Sequence, residues 1–193
     1  MIHHETNHRK KRKVIAITGT PGTGKTTLAK LIADIIARDF KDEVNDNTNV
    51  IVIDGKAFIE KNKLYDYIDK DNTFVVDIDR FTSALVNEIN NTSYHSTKPG
   101  IINFIIIDSH LSHYLPSSEV DMCIVTKCDI KVLKQRLEQR NYSAKKIRDN
   151  LDSEIFEICN IEALDQGHNV KVIDTTKGIQ IKTLKNILSK LLK

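Results

Sequence analysis

A glycine-rich run with one lysine and two adjacent hydroxyls is the part of this sequence best suited to chemistry. Residues 19–27 read GTPGTGKTT and fill every fixed position of the pattern G-x-x-x-x-G-K-[ST]. An apolar run at 14–17 precedes them, and residues 28–36 follow with apolar side chains at helical spacing. A strand, a glycine loop and a helix in this order surround a phosphate with backbone N–H groups. The pattern therefore predicts a nucleoside triphosphate site rather than an ordinary glycine turn.

Four side chains have defined roles in such a site. Lys25 is expected to reach the β- and γ-phosphates, Thr26 to bind Mg²⁺ through its hydroxyl, and Thr27 to lie near the α-phosphate. Asp108 ends the apolar run at 101–107, where a carboxylate can hold Mg²⁺ opposite Thr26. The simpler role for an aspartate at a strand end is to cap a turn.

Three further side chains could stabilise a transferring phosphoryl group. Arg136 and Arg140 are four residues apart, which places them on one face of a predicted helix at 130–140. Guanidinium groups suit an anionic transition state, although two arginines on a solvated helix face need no such role. His110 follows Asp108 by two residues and could orient a water or a phosphate, or be a packing or surface residue.

A second nucleotide pattern competes with the first. Residues 126–129 read TKCD and fit [NT]-K-x-D, which reads guanine in GTPases. A GTPase also carries D-x-x-G after its third strand, but residues 108–111 read DSHL. A four-residue pattern with free choices arises easily by chance, so a GTPase is the less favoured alternative.

The alternation of short apolar runs with helical patterns predicts an α/β fold. The predicted fold is a P-loop NTPase three-layer sandwich with a parallel sheet of about five strands. The stretch at 64–72 has no clear pattern and is expected to be irregular. The predicted strands are 14–17, 50–53, 101–107, 122–126 and 170–174, and the predicted helices are 28–36, 56–63, 79–90, 130–140, 144–164 and 179–192.

Three of these helices have a defined apolar face. Phe81, Leu85 and Ile89 are spaced to face the core from the helix at 79–90. The helix at 144–164 is expected to bury Ile147, Leu151, Ile155 and Ile158, and the last helix to bury Ile181, Leu184, Ile187, Leu188 and Leu191.

Composition and charge point to one globular domain with a basic tail. Apolar and charged residues make up 40% and 28% of the chain, and no apolar run is long enough to cross a membrane. The three cysteines lack metal-type spacing, so reduced thiols and a cytoplasmic location are expected. Residues 1–13 hold five basic residues and one glutamate. We expect a tail at 1–13, either RNA-binding or merely solvated, and a domain at 14–193.

Together these motifs resemble a known family. Residues 19–27, 108–110 and 136–147 are similar to those of the adenylate kinase isoenzyme 6 family, small adenylate kinases and ATPases linked to ribosome maturation. The most specific part begins at Arg140 and follows R-x-Y-S-x-K-K-I-x-[DE]-N-x-x-x-E-I. The resemblance extends from Val14 over nearly the whole chain, which looks like an archaeal member.

The resemblance implies an adenylate kinase, ATP + AMP = 2 ADP, with ATPase activity. It places a segment for the nucleoside monophosphate at about 54–77 and a short lid at about 139–149. It implies a small-subunit platform ribosomal protein and small-subunit rRNA as partners, and a role in late maturation of that subunit. The implied ATP contacts are Gly22, Gly24, Lys25, Thr26, Thr27 and Arg140, the metal ligands Thr26 and Asp108, and the catalytic residues Lys25, Asp108, His110, Arg136 and Arg140.

Three departures from the family pattern affect this expectation. Asn141 stands where the family often has glycine, and asparagine tolerates the left-handed backbone that such a turn needs. Lys127 stands where arginine is common, and lysine lacks the bidentate fork. The monophosphate segment has no arginine before Arg80. An enzyme that is a weak kinase and a better ATPase, or an ATPase switch that acts as an assembly factor, would fit this last departure.

Overall fold

The predicted parallel sheet is present. The computed structural model describes residues 12–39, 48–70, 73–94 and 102–192. Its strands are Arg12–Thr18 (β1), Thr48–Asp54 (β2), Tyr65–Ile68 (β3), Phe74–Val76 (β4), Ile102–Asp108 (β5), Met122–Lys127 (β6) and Val170–Asp174 (β7). The main sheet has the order β2-β5-β1-β6-β7, and each neighbouring pair in it is parallel. The predicted α/β sandwich with about five strands is confirmed.

Helices connect the strands and cover the sheet. In the described ranges they are Lys25–Asp39 (α1), Gly55–Asn62 (α2), Ile78–Tyr94 (α3), Ile130–Gln139 (α4), Ala144–Ile155 (α5), Ile158–Asp165 (α6) and Ile181–Leu192 (α7). Two 3₁₀ turns, Ser112–Tyr114 and Ser117–Glu119, lie between β5 and β6. Across the residues described, none of these helices has the length and apolar character needed to cross a membrane.

The central strand β1 supplies side chains to both faces of the sheet. Ile15 and Ile17 pack in one apolar cluster with α1 and α7, whereas Val14 and Ala16 belong to a second cluster with α3. This follows from the alternation of side chains along a strand. The predicted inward face of α3, formed by Phe81, Leu85 and Ile89, is confirmed because all three side chains are fully buried.

A small hairpin occupies the stretch that we expected to be irregular. Strands β3 and β4 pair antiparallel and form a separate two-stranded sheet. The rings of Tyr65 and Phe74 stack across it with their centroids 4.6 Å apart. Such cross-strand aromatic contacts stabilise a pair of strands that are too short to persist alone. The predicted monophosphate segment therefore consists of α2 and this hairpin.

The long helix predicted at 144–164 is wrong. It is two helices, α5 and α6, separated by a turn in which Glu157 adopts a left-handed φ of 53°. The Glu157 carboxylate pairs with Lys127 at the end of β6, and the Glu154 carboxylate accepts a hydrogen bond from the Cys128 N–H at 2.8 Å. Contacts with another element hold this turn, and neither glycine nor proline marks it in the sequence.

The break also changes which apolar side chains face inward. Ile147 and Leu151 pack, as expected, against a buried cluster formed by Cys128 and two leucines of α4. Ile155 and Ile158 lie beyond or beside the turn and are 55% and 39% exposed, so their predicted burial is wrong. The predicted burial of Ile181, at the start of the last helix, is also wrong, because this side chain is 51% exposed.

The basic run at the N-terminus extends into the folded domain. β1 starts at Arg12, two residues before the domain boundary predicted at Val14. The Arg12 guanidinium is nearly buried, pairs with Glu119 and donates to Asn90 Oδ1 at 2.5 Å. The positive charge of Arg12 therefore contributes to contacts within the folded domain. Residues 1–11 of the predicted tail lie outside the described residues.

We expect Leu85→Ala to lower the free energy of unfolding by about 2–5 kcal/mol, because it leaves a cavity in the core beneath α3. Leu164→Ala is the matched control, since the Leu164 side chain is 55% exposed, and its effect should stay below about 1 kcal/mol. Urea unfolding of both variants measures the difference. Equal losses would contradict the placement of α3 against the sheet.

Candidate active site

The glycine loop and Asp108, two parts of the predicted site, lie at one edge of the sheet. In the parallel register Asp108 of β5 lies beside Ile17 of β1 and beside Asp54 of β2. The carboxyl ends of these strands therefore meet where the glycine loop leaves β1, which is the edge at which open α/β sheets bind ligands.

The loop backbone needs glycine at two positions for different reasons. Gly19 has a φ of +133°, and a Cβ there would lie 2.5 Å from the Thr126 hydroxyl and 2.6 Å from the Thr126 carbonyl oxygen. Gly22 has a φ of +94°, and a Cβ there would lie 2.9 Å from a Leu133 methyl group. Both φ values are strained for other residues. The loop is thus pressed against β6 on one side and α4 on the other.

Buried threonine hydroxyls support the loop from beneath. Thr126 Oγ1 lies 2.6 Å from Thr23 Oγ1 and donates to the Thr18 carbonyl at 3.1 Å. Thr23 Oγ1 lies 2.7 Å from the Thr20 carbonyl, and Thr175 Oγ1 donates to the Thr23 carbonyl at 2.6 Å. Sequence reasoning missed Thr23 and Thr175 because threonines at variable positions of the loop pattern and in a distant loop carry no signal of their own.

The Lys25 ammonium folds back onto the loop. Nζ donates to the Gly19 carbonyl at 2.7 Å and to the Thr20 carbonyl at 3.1 Å. Burial lowers the pKa of Lys25 to about 8, and the charge of Arg140 adds to this effect, while Cys159 and Asp108 oppose it. A triphosphate offers the ammonium stronger, charged acceptors than these carbonyls. The lysine is therefore placed to transfer from the loop to a bound phosphate.

Thr26 and Asp108, the predicted metal ligands, place two side-chain oxygen groups within hydrogen-bond distance of each other. Asp108 is 8% exposed; burial raises its pKa, while a hydrogen bond from the Thr26 side chain and the charge of Lys25 act in the opposite direction. Hard oxygen atoms of this kind fit Mg²⁺, which usually takes one or two carboxylates and completes its shell with water and phosphate. In the described ranges no cluster of three or more His, Cys, Asp or Glu could hold a metal ion.

His110 lies on the solvent side of the same edge. Its side chain is in contact with solvent. Partial desolvation by neighbouring protein atoms, followed by the positive charge of Lys25, nevertheless lowers the pKa of His110 to about 4. The imidazole is therefore neutral near pH 7. Its backbone carbonyl accepts a hydrogen bond from Thr18 Oγ1 at 3.2 Å, which links the residue to the end of β1.

A second histidine, missed by sequence reasoning, lies behind the loop. His113 is almost fully buried, with Nδ1 2.6 Å from Thr18 Oγ1 and Nε2 3.0 Å from Glu162 Oε2. It joins the end of β1 to α6. Its position three residues after His110 in a loop gave no sign of this burial.

Arg136 and Arg140 have different surroundings. The Arg136 guanidinium donates to the Thr175 carbonyl at 2.9 Å and to Thr175 Oγ1 at 3.2 Å, with the Gly22 carbonyl 3.4 Å away. It therefore holds the loop to the segment after β7, and its predicted contact with a transferring phosphoryl group stays a prediction. Arg140 is exposed at the C-terminal end of α4, and its contact with a transferring phosphoryl group stays a prediction.

A cavity of about 540 Å³ opens beside the loop. Gly24, Thr27, Arg140 and Ile179 are among its lining residues. Because two loop glycines and Thr27 belong to this lining, the cavity adjoins the predicted phosphate position.

The predicted lid at about 139–149 contains a left-handed residue near its start, as expected. Asn141 has a φ of +55°, so asparagine supplies the turn where the family often has glycine. Ser143 then caps α5, because its Oγ accepts a hydrogen bond from the Lys146 N–H at 3.2 Å.

Acidic residues of the monophosphate segment have structural partners. Asp54 caps α2 through the Ala57 N–H at 3.0 Å, and Asp77 accepts from the Arg80 N–H at 3.0 Å. The Arg80 guanidinium donates to Asp66 Oδ1 and to the Lys63 carbonyl, each at 3.3 Å. Arg80 is thus engaged within the segment.

The residues of the rival guanine-binding pattern make structural contacts within the fold. Thr126 is buried beneath the loop, Lys127 pairs with Glu157, and Asp129 Oδ1 caps α4 by accepting from the Lys131 and Val132 N–H groups. Each position therefore has a structural explanation.

Comparisons with known proteins agree with this geometry. A family model described as an AAA domain matches residues 15–157. An "adenylate kinase isoenzyme 6 homolog" of Dictyostelium discoideum is 33% identical over 168 residues, which cover 84% of this chain and 78% of that protein. The chain belongs to the adenylate kinase isoenzyme 6 family. A relative from Methanocaldococcus jannaschii with the provisional name adenylate kinase is 34% identical over 163 residues, covering 84% of this chain and 76% of the relative.

Solved structures show the breadth of the fold. A sugar kinase from Janibacter sp. HTCC2649 superposes with a TM-score of 0.56 at 17% identity, covering 94% of both chains. Shikimate kinase from Acinetobacter baumannii superposes with a TM-score of 0.54 at 14% identity, covering 95% of this chain and 94% of that one. At such identities these likenesses show the fold alone, which this family shares with P-loop kinases of other substrates.

We expect Thr126→Val to weaken ATP binding several-fold and to lower the free energy of unfolding by about 1–3 kcal/mol, because it leaves buried polar groups of the loop without a partner. Thr183→Val, which changes an exposed threonine on α7, is the control and should change neither quantity. Calorimetric titration with ATP and urea unfolding measure the two effects. Wild-type affinity in Thr126→Val would show that the loop does not depend on this hydroxyl.

Proposed function

We propose that the chain is an ATP·Mg²⁺-dependent adenylate kinase that transfers the γ-phosphoryl group of ATP to AMP and also hydrolyses ATP. The observation that carries the proposal is the meeting of the glycine loop, the Thr26–Asp108 pair and the segment formed by α2 and the hairpin at one sheet edge. The names of the relatives support AMP as the acceptor. An open α/β edge with a donor loop and a second segment beside it can hold two substrates end to end.

The donor side of the reaction depends on fixed dipoles and charges. The loop N–H groups and the N-terminus of α1 hold the β- and γ-phosphates, and Lys25 leaves the Gly19 and Thr20 carbonyls to join them. Thr26 and Asp108 would hold Mg²⁺, and the ion would supply positive charge beside the phosphate oxygens. Because the loop is supported by buried threonines, it does not have to reorganise as charge develops in the transition state.

The acceptor side requires orientation and exclusion of water. A neutral His110 can donate its ring N–H to an acceptor phosphate oxygen or accept a hydrogen bond from an attacking water, and Arg140 on the lid is proposed to contact the transferring group. When no acceptor occupies the site, a water that reaches the same position yields ADP and free phosphate. The same residues then support ATPase activity.

A wider biological role is proposed from the family. We propose action in late maturation of the small ribosomal subunit, in the cytoplasm, with a small-subunit platform ribosomal protein and small-subunit rRNA as partners. The basic residues before β1 suit a polyanionic partner. Three free thiols at Cys123, Cys128 and Cys159 suit a reducing compartment.

One observation favours an ATPase switch as the second candidate. Arg80 is the first arginine after α2, and its guanidinium donates to Asp66 and to a backbone carbonyl. These contacts would have to break before the guanidinium could bind the phosphate of a nucleoside monophosphate. A protein of this kind would use ATP hydrolysis to change its binding to a partner, without a nucleotide acceptor.

We expect AMP to raise ADP production from ATP·Mg²⁺ without a matching rise in free phosphate, because the phosphoryl group moves to the nucleotide. Lys25→Ala removes the ammonium at the loop and should abolish turnover, and Asp108→Ala should do so while the protein stays folded. Coupled assays for ADP and phosphate, with GTP as a competing donor, measure this. Release of free phosphate alone, unaffected by AMP, would contradict the adenylate kinase proposal and favour the ATPase switch. Equal use of GTP and ATP as the phosphoryl donor would favour the GTPase hypothesis.

A further inference from the structure

The hydroxyl of Thr18, the last residue of β1, has two acceptors for its one proton. Thr18 Oγ1 lies 2.6 Å from Nδ1 of His113 and 3.2 Å from the carbonyl oxygen of His110. Thr18 is fully buried and directly precedes Gly19, where the glycine loop begins. Because a hydroxyl carries a single proton, the two acceptors compete for it, and the outcome depends on where His113 carries its own proton.

Glu162 of α6 decides the tautomer of His113. His113 Nε2 lies 3.0 Å from Glu162 Oε2, and a carboxylate can only accept a hydrogen bond. In a neutral imidazole Nε2 must therefore carry the proton, which leaves Nδ1 as an acceptor. The Thr18 hydroxyl is then directed at Nδ1, and the His110 carbonyl is its longer and weaker contact.

Neighbouring groups hold the His113 ring and the Glu162 carboxylate in place. The Tyr114 hydroxyl bonds to Glu162; burial, followed by this bond, raises the pKa of Tyr114 to about 12, so the phenol keeps its proton and donates. The Tyr114 and His113 rings have their centroids 4.2 Å apart, and His168 Nε2 donates to the His113 carbonyl at 2.8 Å. Since the His113 side chain is only 2% exposed, a change at Nδ1 is passed to Thr18.

A second proton on His113 reverses the hydrogen bond at Nδ1. The charged ring donates from both nitrogens, so Nδ1–H points at Thr18 Oγ1, and the Thr18 hydroxyl has the His110 carbonyl left as its acceptor. Burial lowers the pKa of His113, the carboxylate of Glu162 opposes this effect, and positive charge on His168 and Lys25 adds to it. The ring is therefore neutral near pH 7 and takes up the second proton only as the pH falls.

We infer that His113 is a positioning residue for the proposed reaction: the neutral ring takes the Thr18 hydroxyl proton, and the charged ring releases that proton to the His110 carbonyl. The inference rests on the proposed function, in which His110 orients the acceptor or a water. The charged form draws the His110 backbone toward the end of β1, and a small displacement of a group at the reacting position slows a reaction. Acid pH therefore slows turnover although His113 is buried behind the loop.

Glu162→Gln reproduces the charged arrangement at neutral pH. The glutamine amide can donate to Nε2, which permits the Nδ1–H tautomer with every group still hydrogen-bonded. We expect a folded protein in which kcat falls about three- to tenfold and KM for ATP stays within about twofold. Acidification should slow this variant less than the wild type, because its Thr18 hydroxyl is already redirected. Glu88→Gln, which changes an exposed glutamate on α3, is the charge-matched control and should behave like the wild type.

Two changes at Thr18 test the shared proton itself. Thr18→Ser keeps the hydroxyl and should keep the response of kcat to pH, whereas Thr18→Val removes the hydroxyl and should lose the part of that response that belongs to His113. Long-range ¹H–¹⁵N NMR reads the tautomer directly, with the His113 signal identified by its absence in His113→Asn. It should show Nε2–H in the wild type at pH 7 and a population of Nδ1–H in Glu162→Gln. Thermal unfolding verifies that each variant is folded.

The outcomes separate this inference from the proposed function. An Nδ1–H tautomer in the wild type at pH 7, or an unchanged Nε2–H tautomer in Glu162→Gln, would overturn the inference. Transfer to AMP at the wild-type kcat in a Glu162→Gln protein with a changed tautomer would overturn it and leave the kinase standing. ATP hydrolysis without transfer to AMP would contradict the kinase, and a fall in that hydrolysis in Glu162→Gln would still support the inference. Equal effects of acid on the wild type, Glu162→Gln and Thr18→Val would overturn it, because the response would then belong to other groups.

Discussion

The site depends on one constraint: the glycine loop must present its N–H groups to a phosphate while its own polar groups are satisfied from beneath. The contact of Thr23 with Thr126, and the bond from Thr126 to the Thr18 carbonyl, meet that requirement without solvent. Unsatisfied groups in such a buried place would be costly. The close approach that these bonds require is also why Gly19 leaves no room for a Cβ.

The elements around the loop are tied to it by similar contacts. Arg136 connects α4 and the segment after β7 to the loop through Thr175 and Gly22. His113 connects the end of β1 to Glu162 of α6. These links explain why these polar groups are buried in a fold whose core is otherwise apolar, and they fix the glycine loop relative to the elements around it.

Sequence patterns were sufficient where local chemistry decides the structure. The loop pattern, the apolar strand ending at Asp108 and the inward face of α3 each follow from short-range spacing. The break between α5 and α6 could not be predicted in this way, because Lys127 and Cys128 hold it from another element. Similarly, the different environments of Arg136 and Arg140 depend on Thr175, which is distant in sequence.

In the proposed function, one chain holds a donor and an acceptor nucleotide face to face across the sheet edge. A ligand in which two adenosines are joined by five phosphates can fill both positions at once, so its affinity tests that claim most directly. Calorimetric titration should show one ligand bound per chain, a Kd well below those of ATP and of AMP, and competition by each nucleotide. An affinity no better than that of ATP, with no competition by AMP, would contradict the account.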